Sequence, residues 1–176
     1  MLTDIYKEQV NIAIWQNELP NEVLQDVTNL MQQTSYLSVV MTSVPGKIVE
    51  HLVECNAALA ERKALCEHIA LVVDMFCTLF ELKQVGLRLT RLDHAMCPKF
   101  HVDKVPCRLV TTFSGIATEW LAHEKVDRSK LGAGSIGIAD EVSGIMQDRQ
   151  DVQRLSVGDI ALLKGEGWFD NQNSGA

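Results

Sequence analysis

The apolar residues of this 176-residue chain change period near position 85, and that change limits the fold more than any single motif does. Before it, Ile48, Leu52, Cys55 and Leu59, then Leu65, Ile69, Val72, Phe76 and Leu79, keep the spacing that places side chains on one face of a helix. After it, short segments such as Leu87–Thr90, Cys107–Phe113 and Ile160–Leu163 are separated by Gly, Pro and Asp, the pattern of strands joined by turns. The expected fold class is therefore α+β in a single domain over 1–176, with 1–85 mainly helical with one or two strands and 86–176 rich in antiparallel strands. Val10–Trp15 reads as an early strand, and Pro20-Asn21-Glu22 opens a helix to about Gln33 with Leu24, Val27 and Met31 on one face. Tyr36–Val44 reads as a second strand closed by Pro45-Gly46, and the long helical region breaks near Ala60–Lys63. Ser129–Gly144, with Gly132, Gly134, Gly137 and Gly144, is the expected mobile loop, of a length that often serves as a lid.

Composition excludes several classes of function. A chain of this length with 47% hydrophobic residues can bury a core without disulfides or structural metals. Sixteen Lys plus Arg against 23 Asp plus Glu leaves a net charge of -7, the wrong sign for a nucleic-acid binder that works by neutralising phosphates. The greasiest run, Ile69–Val73, is stopped by Asp74, so no membrane span is expected. Met1–Glu8 carries acidic residues where an export signal needs a basic start, and the five cysteines include no Cys-x-x-Cys pair. A reducing, cytoplasmic setting follows, with homodimerisation as the base-rate expectation.

The densest group of reactive side chains lies between His94 and Cys107. If Phe100–Val105 is a strand, His101 and Asp103 point to one face about 7 Å apart at the backbone, with Phe100 and Val102 turned the other way. An imidazole and a carboxylate so placed can converge on one ion, and His-x-Asp on a strand supplies two of the three ligands of a 2-His-1-carboxylate Fe(II) site. Without metal, the same pair is a carboxylate orienting an imidazole at a strand end. Cys97 and Cys107 could add thiolates to a zinc set, although their spacing is irregular for structural zinc and buried free cysteine is the commoner reading. His94 and His123 read as hydrogen-bonded or solvated. Arg108 can bind a substrate carboxylate bidentately or form a salt bridge, and Thr112, Glu119 and Trp120 are candidates to line the same cavity.

The run Cys97-Pro98-Lys99-Phe100-His101-Val102-Asp103-Lys104-Val105-Pro106-Cys107-Arg108-Leu109-Val110-Thr111-Thr112-Phe113, with Gly115, Thr118, Glu119, Trp120 and Leu121, closely resembles a bacterial domain-of-unknown-function family. Gly158-Asp159-Ile160-Ala161-Leu162-Leu163-Lys164-Gly165-Glu166 and Trp168 resemble its second block. At fold level the arrangement is similar to the 2-oxoglutarate and Fe(II)-dependent oxygenases. That similarity implies a cupin-like, double-stranded β-helix in the second half, Fe(II) on His101 and Asp103, 2-oxoglutarate as cosubstrate and a small-molecule substrate. It further implies a third ligand in a His-Arg-Ser-Pro-like run beyond Ala176, so that this chain is a shortened form with weak metal binding and little or no turnover. The family's association with zinc-responsive genes implies the alternative of a non-enzymatic zinc-binding or metal-homeostasis protein. A pure interaction module without metal is a third reading.

Two sharper motifs fail. Gly132-Ala133-Gly134-Ser135-Ile136-Gly137 matches a dinucleotide fingerprint, but no buried strand feeds it, since Lys125–Leu131 is mostly charged. Ser135 has Ala133 where a nucleophile elbow needs glycine. A thiol–imidazole pair of Cys97 or Cys107 with His101 lacks any locatable oxyanion hole.

Overall fold

The computed structural model describes residues 1–95 and 97–169. In chain order its strands and α-helices are β1 (Ile12–Trp15), α1 (Asn21–Gln33), β2 (Ser38–Ser43), α2 (Ile48–Cys55), α3 (Lys63–Leu79), β3 (Val85–Thr90), β4 (Cys107–Thr111), β5 (Glu119–Leu121), α4 (Asp140–Ser143), β6 (Val152–Arg154) and β7 (Ile160–Lys164). Short 3-10 turns join several of them. The chain is thus mixed helix and strand with small antiparallel sheets, and no described helix is long and apolar enough to cross a membrane.

Two compact units result: Met1–Glu18 with Met96–Ala176, and Leu19–Ala95. In the second, β2 and β3 form an antiparallel pair from Ser38 opposite Thr90 to Ser43 opposite Val85. The three longer helices bury Val23, Val27 and Leu30 of α1, Ile48 and Leu52 of α2, and Leu65, Cys66, Ile69, Val72, Val73 and Cys77 of α3. The buried face of α1 is rotated from the expected one, because Val23 and Leu30 take the inner positions and Leu24 stays 40% exposed. Cys55, expected on the inner face of α2, is also exposed. Helix α3 lacks a side-chain cap of its own; Asp26 of α1 instead accepts from the Leu65 N–H at 3.1 Å and satisfies one of its orphan donors. Arg91 closes α1 by donating to the Met31 carbonyl at 2.7 Å and to that of Thr34.

The other unit is built on a three-stranded sheet with β7 in the middle and β1 and β4 antiparallel on either side. A central strand with both faces covered reads as a continuous apolar run, and Ile160, Ala161 and Leu162 are at most 1% exposed. Ala161 packs with Ala117 and Leu155, against which Ile12, Ile14, Val110 and Trp120 also lie. On the opposite face the chain direction carries Lys164 inward, where it is 2% exposed. Its ammonium donates to the Lys7 carbonyl at 2.7 Å and lies 4.9 Å from the Trp168 ring centroid, and burial pushes its pKa down. Among the described residues, the remaining strands, β5 and β6, pair with each other alone.

Several expectations need correction. Strand β3 pairs with β2 and not with the strands of the carboxyl half, because the α2–α3 pair returns the chain to the open edge of β2. The described strands form sheets of three, two and two, which bears out antiparallel pairing and an α+β class without displaying a double-stranded β-helix. Phe100–Val105 carries no strand; it is an irregular segment that bends before β4. Residues 170–176 of the expected β-rich half lie outside the described residues. The expected lid is folded into short turns, with 3-10 turns at Arg128–Lys130 and Gly132–Ser135 followed by α4, and it buries Ser135 and Asp140.

The turn after β7 folds back on the segment before β4. Gly165 N–H donates to the Pro106 carbonyl at 2.9 Å and Glu166 N–H to the Asp103 carbonyl at 2.7 Å. A Cβ on Gly165 would sit 2.0 Å from the Val105 carbonyl oxygen and 2.5 Å from that of Asp103, both backbone atoms that cannot swing aside. Gly165→Ala should therefore cost about 3 kcal/mol or more in urea unfolding. Gly46→Ala, where the Cβ meets open space, should change stability by no more than about 0.5 kcal/mol.

Candidate functional site

His101 and Asp103 lie on the segment pinned by that turn. The His101 Nδ1 is 2.9 Å from the Lys99 carbonyl oxygen. A carbonyl can only accept, so Nδ1 carries a proton, and in the neutral imidazole the lone pair is on Nε2. Nε2 faces Asp103 Oδ1 at 3.7 Å, while Asp103 Oδ2 accepts from Arg108 Nε at 2.8 Å. A lone pair facing a carboxylate oxygen is an arrangement that a cation between them completes, whether a proton or a metal ion.

The separation can be compared with what a metal requires. With metal–ligand bonds of about 2.1 Å, two adjacent donors stand roughly 3.0–3.4 Å apart, so a small rotation of either side chain suffices. His101 is 46% exposed and Asp103 18% exposed at the side chain, which leaves the pair open to solvent on the imidazole side. The two residues therefore fit two adjacent coordination positions. Among the described residues, no group of three or more His, Cys, Asp or Glu converges on one point.

The other residues singled out in the sequence go elsewhere. Cys97 is exposed. Cys107 begins β4 opposite Lys164, and since neighbours on a strand point to opposite faces, its thiol is turned away from the side on which Arg108 reaches Asp103. Burial holds the Cys107 thiol at about 11, and that of Cys66 in α3 likewise. Glu119 pairs across β5–β6 with Arg154, and Trp120 packs on the Ala117–Leu155–Ala161 cluster. Half-buried Thr112 offers its carbonyl to the Gly158 N–H at 2.9 Å, closing the turn before β7. His94 pairs with Asp93 and is exposed, as is His123.

Sequence reasoning missed a second polar cluster beside the pair. The Lys99 ammonium donates to Ser135 Oγ at 2.7 Å and to the Ser135 carbonyl at 2.5 Å, and it lies 3.9 Å from Asp140 Oδ1. Asp140 Oδ2 accepts from the Phe100 N–H at 2.6 Å. Ser135 and Asp140 are 2% and 7% exposed. The sequence signal was confined to the proximity of Lys99 to His101; nothing in the spacing ties it to residues 36 and 41 positions on.

The family-model comparison matches residues 1–176 to the family described as Protein of unknown function (DUF1826). The chain belongs to DUF1826. No curated protein and no solved structure matches it. The membership bears out the resemblance to an uncharacterised domain-of-unknown-function family; it supports neither the signature segments nor the oxygenase similarity.

The thiols divide by environment. In native protein at pH 8, Cys55 and Cys97 should react with a disulfide reagent within minutes, whereas Cys66, Cys77 and Cys107 should wait for unfolding. Because the folded pKa values of Cys66 and Cys107 stand above the ordinary 9.0, the unfolded chain sheds those protons first as pH rises. Stability should then fall progressively between about pH 9 and 11, measured as thermal midpoints across that range.

Proposed function

We propose that this DUF1826 chain is a metal-dependent, oxygenase-like protein in which His101 and Asp103 provide two ligands for Fe(II). The observation that carries the reading is His101 Nε2 facing Asp103 Oδ1 at 3.7 Å while Nδ1 is engaged by the Lys99 carbonyl. Two further features support it. The Nδ1 proton is engaged by a backbone carbonyl, the usual partner that fixes a metal-binding imidazole, and the second carboxylate oxygen is held by Arg108 so that Oδ1 keeps its aim.

Fe(II) bound there supplies open coordination positions for O2 and for an oxo-acid of the 2-oxoglutarate type. The chain's own residues bind and orient: His101 and Asp103 offer one nitrogen and one oxygen, and the half-exposed Arg108 guanidinium retains donors for the carboxylate of a small-molecule substrate or cosubstrate. On this reading the β1–β7–β4 sheet is the part of a cupin-like sheet that carries Arg108 to the site.

Anaerobic titration with Co(II), a spectroscopic stand-in for Fe(II), tests the assignment. Two protein ligands give weak binding, so saturation is expected only at high ligand excess, with His101→Ala and Asp103→Ala each lowering affinity at least about tenfold. Saturable Co(II) binding that survives both substitutions would place the ion elsewhere and overturn the reading.

A further inference from the structure

We infer that Asp140 acts on His101 through the peptide bond between Lys99 and Phe100, making a carboxylate–peptide–imidazole relay that couples the segment 129–144 to the candidate metal site. The relay is a matter of geometry on its own; its consequence for metal affinity rests on the metal reading above.

The argument starts from burial. A carboxylate 7% exposed in a glycine-rich segment is costly unless paired, and among the described residues the partners of the Asp140 carboxylate are Lys99 and Phe100. Its Oδ2 takes the Phe100 N–H at 2.6 Å, and its Oδ1 has no hydrogen-bond partner among the described residues, only the Lys99 ammonium at 3.9 Å. That ammonium is itself fixed by two donations to Ser135, so the position of Lys99 is set at the far side of the glycine-rich turn. At Gly134 in that turn, a Cβ would meet the Ser129 carbonyl oxygen at 1.8 Å, so the turn closes only with glycine there.

The Phe100 N–H and the Lys99 carbonyl belong to one peptide unit, and that unit is planar. Asp140 holds its N–H end while His101 Nδ1–H is bonded to its C=O end at 2.9 Å. Rotating the plane breaks both bonds together. Charge on the carboxylate also polarises the peptide and makes its oxygen a better acceptor, which strengthens the bond that keeps the proton on Nδ1 and the lone pair on Nε2. A carboxylate commonly orients a metal-binding imidazole directly; here the peptide stands between them. Asp140 and Lys99 are on this account positioning residues, and a change in the segment 129–144 is felt at His101.

Two readouts separate this from a merely structural role. In metal-free protein, nitrogen-15 NMR of His101 should show the Nδ1–H tautomer, and Asp140→Asn should shift the ring toward Nε2–H while the fold is retained. With Co(II), Asp140→Asn should weaken binding about tenfold, as should Lys99→Met, whereas Lys99→Arg should stay within about threefold of the parent. If Asp140→Asn does not fold, the contrast of Lys99→Met with Lys99→Arg carries the same test through both readouts. An unchanged His101 tautomer together with unchanged Co(II) affinity in the folded variants would overturn the relay. Failure of the parent chain to bind Co(II) would sink the metal reading alone, since the tautomer measurement still decides whether Asp140 governs the imidazole.

Discussion

Strand β7 is the element on which the unit containing the candidate site depends. It gives hydrogen bonds to β1 near the start of the chain and to β4 in its middle, so neither outer strand has a sheet without it. All its residues but the partly exposed Leu163 are buried, and the one that is not apolar, Lys164, ends the strand in contact with Lys7 and Trp168. The next residue, Gly165, then approaches the backbone of Asp103 and Val105 more closely than any side chain permits. Register in β7 therefore sets where the His101–Asp103 segment lies. A one-residue slip would expose Leu162 and turn Lys164 out of its contacts, which is a strong reason for a unique pairing.

Buried and half-buried polar groups supply the rest of the definition. Asp159 accepts from the Ser156 N–H at 2.7 Å and from the Asn17 N–H at 3.4 Å, while the Asn17 side chain donates to the Gly158 carbonyl at 3.3 Å. These bonds tie the turn ahead of β7 to the residues just after β1. In the other unit, Asp26 and Arg91 do comparable work at the ends of α3 and α1. Each such bond adds little net stability, but leaving one of these groups unpaired costs about 1–3 kcal/mol, so alternatives that break them are disfavoured. Specificity in both units thus comes from polar groups that tolerate few arrangements.

The same distinction explains what the sequence revealed. Periodicity alone marks α1, α2, α3, β1, β2, β3, β4 and β7, since each is long or apolar enough for its pattern to be counted. Strands β5 and β6 carry three residues each, too few to show alternation, and only their cross-strand pairing identifies them. The face of α1 is ambiguous in the sequence because Val23, Leu24, Val27, Leu30 and Met31 support two apolar stripes about 100° apart, and tertiary contact chooses between them. At the site, His101, Asp103 and Arg108 were legible because they are close in sequence. Nothing local marks the contacts of Ser135, Asp140 and Lys164, because their partners lie from 36 to 157 residues away and no local rule predicts such pairing.

The absence of a strand at Phe100–Val105 changes the character of the site without dissolving it. In a paired strand the ladder would fix the backbone and alternation would separate the two side-chain faces. Here the backbone is held from two directions instead: the Asp103 carbonyl by the turn after β7, and the Lys99–Phe100 peptide by Asp140. Between those anchors His101 remains half-exposed while Asp103 is mostly shielded beside Arg108. The His101–Asp103 pair is thus held at the two ends of its segment and open to solvent on the imidazole side. The cost is that its geometry depends on two tertiary contacts, and the more distant of these, through Asp140, belongs to a glycine-rich segment that lacks extended secondary structure of its own.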